Sequence, residues 1–339
     1  MIEKIPFIIA EMSGNHNQSL GRALAIVDAA ADAGVDAVKI QTYTADTMTI
    51  DIDTGEFFIS DKDSLWKGET LYHLYEKAHT PWEWHKAIFE RCKERGIMGF
   101  STPFDDTSVD FLEDLGVPCY KIASFENVDL PLIRKVARTG KPIIASTGMT
   151  TVAELSDLVQ TVRENGCTDL TLLKCTSSYP ASPEGTNLRT IPHMRELFGC
   201  AVGLSDHTLG IGAAVASVAL GAAVIEKHLT LSRAEGGVDA AFSLEPAEMA
   251  QLVRECRTAA LALGTVSYER AEQEQKSLQF RRSLYVVEDM KAGDVFTEKN
   301  LRRIRPGMGL SPKYYDIILG KKANCNITRG TAVQWDLIE

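Results

Sequence analysis

No stretch of this chain approaches the ~18 consecutive apolar residues that a membrane-spanning helix needs, so no membrane partner is expected. The opening residues, MIEKIPFIIAEMSGNH, carry only a short apolar run before polar and acidic ones. They lack the hydrophobic core and small-residue cleavage site of a secretion signal. Basic charge is short as well: 36 Lys and Arg face 46 Asp and Glu, a formal net charge of -10. That sign argues against a nucleic-acid partner, whose phosphates call for a basic face. A small anion is still admissible, because a few clustered lysines can bind phosphate within an acidic protein. Cysteines fall at 92, 119, 167, 175, 200, 256 and 325, an odd number with no CxxC pair. This suits buried or reactive thiols in a reducing cytoplasm, not a disulfide framework. Finally, no GxGxxG follows the first apolar run, which counts against a doubly wound dinucleotide-binding sheet.

What is present is an alternation. Short β-branched or apolar runs begin near Phe7 (FIIAE), Ala37 (AVKIQ), Met98 (MGFST), Cys119 (CYKIAS), Pro142 (PIIAST), Leu170 (LTLLKCT), Ala201 (AVGLSD) and Ala223 (AVIEKH). Amphipathic segments such as SLGRALAIVDAAADAG and TVAELSDLVQTVRENG separate them, several ending in a glycine suited to a helix C-cap. Strands alternating with helices imply parallel pairing through βαβ units. Eight units in ~250 residues match a closed (β/α)8 TIM barrel. The expected α/β architecture is such a barrel over residues 1–265, a polar linker over 266–281, and a small, mainly β domain over 282–339. Turn signals at KAGD and TRGT mark that last domain. It is small enough to need support from a barrel, its own or a partner's. The second run is followed by a long loop with Phe57, Phe58, Trp66, Tyr72 and Tyr75. In a barrel that loop leaves from the C-terminal face, where active sites sit, so it reads as a lid or interface in preference to a decorative insertion.

Polar residues recur where the runs end: Glu11; Lys39 and Gln41; Ser101 and Thr102; Lys121, Ser124 and Glu126; Ser146 and Thr147. The later runs end in Lys174, Ser177 and Tyr179; Ser205, Asp206 and His207; Glu226 and His228. One Ser or Thr at such a place is usually a cap for the next helix, but eight polar ends in a barrel converge on one pocket. Lys39 and Lys121 sit inside apolar strands. They can bind a phosphate or carboxylate as a pair, snorkel at a strand edge, or serve as a Schiff-base amine. His207 and His228 close adjacent strands. They can face one divalent ion, with Glu11 or Asp206 near by, or be ordinary core histidines.

The motifs AEMSGNH, VKIQTY, FSTPF, YKIAS, STGM, KCTSSYP, GLSDHT and EKHLT, in this order, resemble the nonulosonic (sialic) acid synthase family. The tail RRSLYVVEDMKAGDVFTEKNLRRIRPGMGL resembles the antifreeze-like (SAF) domain that closes those enzymes. Within the family, SLWKGETLYHLYEKAHTPWEWH and KCTSSYP resemble the pseudaminic acid branch. The resemblance implies a metal-dependent condensation of phosphoenolpyruvate with an amino-sugar aldehyde, 2,4-diacetamido-2,4,6-trideoxy-L-altrose for that branch. It implies phosphoenolpyruvate contacts from Lys39, Thr102, Lys121, Ser124, Ser146, Ser177 and Ser205. His207 and His228 would hold Mn2+, Mg2+ or Co2+, Glu11 would accept or relay a proton, and Glu126 would assist. Gln41, Tyr179 and Asp239 match sugar contacts. Arg305 matches an arginine that reaches the sugar bound by a partner subunit, which implies a domain-swapped homodimer.

One departure bears on the substrate. Ser177 stands where sialic acid synthases usually carry Asn, which alters the hydrogen bonds at that wall and favours a sugar other than N-acetylmannosamine. A 6-deoxy sugar also needs an apolar surface for its methyl group, which the aromatic second loop can supply. The alternatives are a sialic or legionaminic acid synthase with the same chemistry, a Schiff-base lyase using Lys121, and a non-catalytic sugar- or ice-binding protein.

Overall fold

The computed structural model describes residues 5–61 and 65–339. Residues 1–4, with which the expected barrel begins, and 62–64, including the first residue of the SLWKGET motif, lie outside the described residues. The chain divides into two compact units, Met1–Gly264 and Thr265–Glu339.

The first unit runs β1 (Phe7–Glu11), α1 (Leu20–Ala33), β2 (Ala37–Thr42), α2 (Ala45–Met48), α3 (Leu71–Ala78), α4 (His85–Glu94), β3 (Met98–Pro103) and α5 (Asp106–Asp114). It continues through β4 (Tyr120–Ile122), α6 (Leu130–Arg138), β5 (Ile143–Ser146), α7 (Val152–Glu164), β6 (Leu170–Cys175) and α8 (Thr190–Phe198). It ends with β7 (Ala201–Asp206), α9 (Gly212–Ala219), β8 (Val224–His228) and α10 (Pro246–Leu263). The eight strands close a parallel barrel in sequence order. Strand β1 pairs with β2 on one side and β8 on the other, so Glu11 lies level with both Lys39 and His228.

Local chemistry sets the helix ends. Thr151 and Glu154 form a reciprocal capping box at the start of α7, and Asp105 caps α5 by accepting from the Thr107 and Ser108 amides. Gly34 ends α1 in the left-handed conformation, at φ 83°. The helices that follow the strands bury one face against the barrel wall. Ala23, Ile26, Val27 and Ala30 of α1 do so, as do Leu155, Leu158, Val159 and Val162 of α7.

Inside the barrel the two-residue period of the strands decides what faces the axis. A small apolar plug of Ile9, Ala37, Phe100, Cys119, Ile144, Leu173 and Val224 fills the floor. Gly203 of β7 belongs here for steric reasons: a Cβ on it would lie 2.2 Å from the Val224 carbonyl oxygen and 2.8 Å from Leu173. Two residues further along most strands the apolar side chains give way to polar ones.

The long second loop departs from the expectation of an irregular segment. It contains α2 and α3, with a 3-10 turn at Gly55–Phe57 and a Phe58–Thr70 bridge between them. Thr44 and Thr47 cap α2 reciprocally and Thr70 caps α3, hydroxyl signals hidden among more conspicuous aromatics.

In the second unit, β9 (Ser283–Val286) and β10 (Leu301–Ile304) form an antiparallel pair with Leu301 opposite Val286. The rest of its β character is single bridges, such as Met290–Ile327 and Ala323–Ile338, because turns interrupt pairing every few residues. Its own core gathers Leu284, Val286, Met290, Phe296, Leu301 and Ile318. The polar segment expected as a linker includes a run of 3-10 turns over Glu272–Phe280.

Candidate active site

At the C-terminal ends of the strands a cavity of about 540 Å³ opens into the barrel. Glu11, Lys39, Gln41, Lys121, Ser124, Glu126, Ser146, Tyr179, Ser205, His207, His228 and Asp239 all line it, twelve of the fifteen site residues that the resemblance implies. Thr102 and Ser177 do not reach its surface but support it. Thr102 Oγ1 accepts from Lys39 Nζ at 3.2 Å, and Ser177 Oγ lies 3.7 Å from Cys175 Sγ. Arg305 belongs to the second unit, at the end of β10.

The floor is a cluster of four buried charges. Lys39 Nζ lies 2.9 Å from Glu11 Oε2 and 3.6 Å from Glu226 Oε2. Lys121 Nζ donates to Ser146 Oγ at 2.6 Å and to the Ile122 carbonyl at 3.0 Å, and lies 3.8 Å from Glu226 Oε1. Ser205 Oγ donates to Glu226 Oε1 at 3.0 Å, and Gln41 Nε2 donates to Glu11 Oε1 at 2.9 Å. Burial works against every one of these charges. It raises the Glu11 carboxyl and lowers the Lys121 ammonium. Burial would also push Lys39 down, but Glu11 and Glu226 hold it above its ordinary value. Burial would push Glu226 up, but Lys121 and Lys39 hold it down. Two buried ammonium groups with hydroxyls beside them, balanced by Glu11 and Glu226, are the kind of chemistry that can bind an anionic ligand.

Glu126 stands apart from this cluster. Its Oε2 is buried and makes no hydrogen bond. Burial raises its carboxyl to about 7, against a weaker downward pull from Lys121. A carboxyl that keeps its proton to neutrality can act as an acid as well as a base.

His207 and His228 face each other with ring centroids 5.4 Å apart. His207 Nδ1 lies 3.2 Å from the Thr176 carbonyl and 3.8 Å from Cys175 Sγ, which directs Nε2 away from both. His228 Nδ1 is buried, makes no hydrogen bond, and lies 3.8 Å from Asp239 Oδ2. Burial, reinforced by His207 and the nearby lysines, holds His228 neutral, the form that binds metals. These donors fit a divalent cation held by two imidazoles. Among the described residues no group of three or more His, Cys, Asp or Glu closes around one point, so such an ion would take its remaining ligands from water or substrate. Asp206, expected near the ion, turns outward instead. Its Oδ2 pairs with buried Lys227 at 2.7 Å, because alternate residues of β7 and β8 face the helices. Ser101 likewise turns to Thr42 and the Ile40 carbonyl, and Lys174 lines a separate cleft.

Two features carried little sequence signal. Cys175 lines the cavity. Burial alone would raise its thiol, but His207, Ser124 and Ser177 hold it at about 7. Gly148 of the STGM motif lets the Ser124 and Ser177 side chains approach the backbone closely. A Cβ there would lie 2.1 Å from Ser177 Oγ and 2.7 Å from Ser124 Oγ, and its amide donates to Ser124 Oγ at 3.1 Å. The parity of Glu226 with His228 on β8 is the signal that could have placed Glu226 beside the two lysines.

Comparison with known proteins identifies the family. The NeuB family matches residues 26–268 and the SAF domain matches residues 281–339. The chain is 45% identical over 332 residues to the pseudaminic acid synthase of Campylobacter jejuni subsp. jejuni, covering 98% of this chain and 96% of that protein. It is 42% identical over 338 residues to the pseudaminic acid synthase of Helicobacter pylori, covering 98% of each. Among solved structures, the N-acetylneuraminic acid (sialic acid) synthetase of Leptospira borgpetersenii serovar Hardjo-bovis, in complex with citrate, matches with a TM-score of 0.72. That match has 32% identity and covers 82% of this chain and 92% of the other. With most of its length matched by the family, and relatives this similar from end to end, the chain belongs to the NeuB family and carries a C-terminal SAF domain.

Proposed function

We propose that this chain is a pseudaminic acid synthase, which condenses phosphoenolpyruvate with 2,4-diacetamido-2,4,6-trideoxy-L-altrose to give pseudaminic acid and phosphate. The observation that carries the chemistry is the buried pair of ammonium groups, Lys39 at 3% and Lys121 at 1% exposure, among hydroxyls at the cavity floor. The identity of the sugar rests on the pseudaminic acid synthases of Campylobacter jejuni and Helicobacter pylori.

C3 of the enol phosphate attacks the aldehyde carbon, forming the new C–C bond and leaving positive charge at C2. Water adds at C2, and phosphate then departs with the electrons of its bond to C2, carrying off the proton of the C2 hydroxyl as that oxygen becomes the ketone. Lys39 and Lys121 neutralise the phosphate and carboxylate of phosphoenolpyruvate, Ser124, Ser146 and Ser205 fix its orientation, and Thr102 and Ser177 act from behind, through Lys39 and Cys175. Glu11, beside Lys39, accepts a proton from the adding water. Glu126, which keeps its proton to about pH 7, gives one to the aldehyde oxygen. Gln41, Tyr179 and Asp239 contact the sugar. His207 and His228 would hold Mn2+, Mg2+ or Co2+, which when bound polarises the aldehyde oxygen as a Lewis acid. In a domain-swapped homodimer, Arg305 of one chain would complete the sugar site of the other. A reducing cytoplasm suits the seven free thiols.

The test is phosphate release from phosphoenolpyruvate with Mn2+, comparing the diacetamido sugar with N-acetylmannosamine, before and after EDTA. EDTA-sensitive release with the diacetamido sugar alone is expected. Release with N-acetylmannosamine alone would refute the sugar assignment.

A further inference from the structure

Helix α3 breaks the packing habit of the barrel. Its apolar residues Leu71, Leu74, Tyr75 and Ala78 fall at i, i+3, i+4 and i+7, a single face. Yet α3 buries none of its residues, and none of the four joins a hydrophobic core cluster. All four line the active-site cavity instead, together with Met48 at the end of α2. The cavity therefore has two characters: a floor of paired charges and imidazoles, and a mainly apolar wall in which Leu71, Leu74, Ala78 and Met48 carry no side-chain hydrogen-bonding group and Tyr75, edge-on to Tyr43, carries one. This half-buried face gains further burial when a ligand brings apolar surface to it. A reacting aldehyde beside His207 and His228 leaves the far end of an open-chain sugar to meet that wall.

We infer that Leu71, Leu74 and Met48 form the subsite for the C6 methyl group of a 6-deoxy amino sugar, and that this part of the wall selects such sugars over 6-hydroxylated ones. The inference rests on the amino-sugar reading above. Leu71, Leu74 and Met48 offer a C6 hydroxyl no hydrogen-bonding partner, so the hydroxyl would lose its water without replacement. Apolar pockets reject a substrate carrying one added hydroxyl by up to about 100-fold.

The experiment compares kcat/KM for 2,4-diacetamido-2,4,6-trideoxy-L-altrose and for its 6-hydroxy counterpart, with phosphoenolpyruvate and Mn2+. The parent protein should prefer the 6-deoxy sugar by about tenfold or more. Leu74→Asn should cut that ratio by about fivefold, with the KM for phosphoenolpyruvate unchanged. Met48→Gln, on a different element, should move the ratio in the same direction. Should both variants fold, by circular dichroism, and keep the parent ratio, the subsite is overturned while the sugar assignment stands. A parent that uses N-acetylmannosamine but neither diacetamido sugar overturns the sugar assignment, and the subsite with it.

Discussion

Replacing Glu126 by Gln should stabilise this protein at alkaline pH and silence it as an enzyme. Burial raises the Glu126 carboxyl from 4.5 to about 7. Below pH 4.5 the folded and unfolded chains both hold the proton, and the group makes no difference. Between pH 4.5 and 7 the unfolded chain releases its proton first, so the equilibrium drifts toward unfolding. Above pH 7 both forms are ionised and the penalty is complete. A tenfold change in acidity corresponds to about 1.4 kcal/mol, so the full loss approaches about 3 kcal/mol. Partial solvent contact makes that an upper value. Glutamine keeps the shape of the protonated acid and never ionises.

The difference in thermal midpoint between Glu126→Gln and the parent should therefore be close to zero near pH 4 and should widen to roughly 3–5 °C by pH 8. Differential scanning calorimetry at closely spaced pH values would trace the curve. Equal midpoints at pH 8 would refute the reasoning, since they would mean that Glu126 ionises at no cost and is solvated. The kinetic counterpart follows from the same proton. If Glu126 donates it, kcat of the parent should fall as pH rises through about 7, and the variant should lose about 100-fold or more in kcat.

Gly148→Ala should force apart the Ser124 and Ser177 hydroxyls that its Cβ would strike, costing about 1–3 kcal/mol; a KM for phosphoenolpyruvate within twofold of the parent would show that the recess tolerates the methyl. Lys121→Met leaves Glu226 with a single cation and should destabilise the barrel by about 3–5 kcal/mol, read by urea unfolding. Borohydride with pyruvate should leave Lys121 of the parent unlabelled, because that ammonium serves as a charge and not as a nucleophile; a reduced adduct would revive the lyase alternative. Arg305→Ala should raise the KM for the sugar about tenfold while leaving that for phosphoenolpyruvate unchanged, and an unchanged sugar KM would make Arg302, Arg303 and Arg305 a solvated basic cluster.

The barrel is legible in the sequence because its signal is repeated. Eight apolar runs, each ending in polar residues, are hard to produce in any other way, and the strand period that buries Ile9 in the plug also delivers Glu11 to the mouth. The same period, applied strictly, separates Lys121, Ser205, Glu226 and His228, which face the axis, from Lys174, Asp206 and Lys227, which face the helices. Taking each strand end as one cluster blurs that division, which is why Asp206 is expected near the ion and Glu226 is given no role. Other parts of the site follow from contacts that sequence spacing does not encode. The clash that reserves position 148 for glycine involves Ser124 from after β4 and Ser177 from after β6. The apolar wall depends on where the long second loop folds, since an amphipathic octamer has the same pattern whether it covers a core or a substrate. What distinguishes the two cases is that α3 finds no core to cover. That makes the second loop the part of the molecule where substrate choice can change without disturbing the barrel beneath it, and the lysines and histidines of the floor the part where the reaction is held constant.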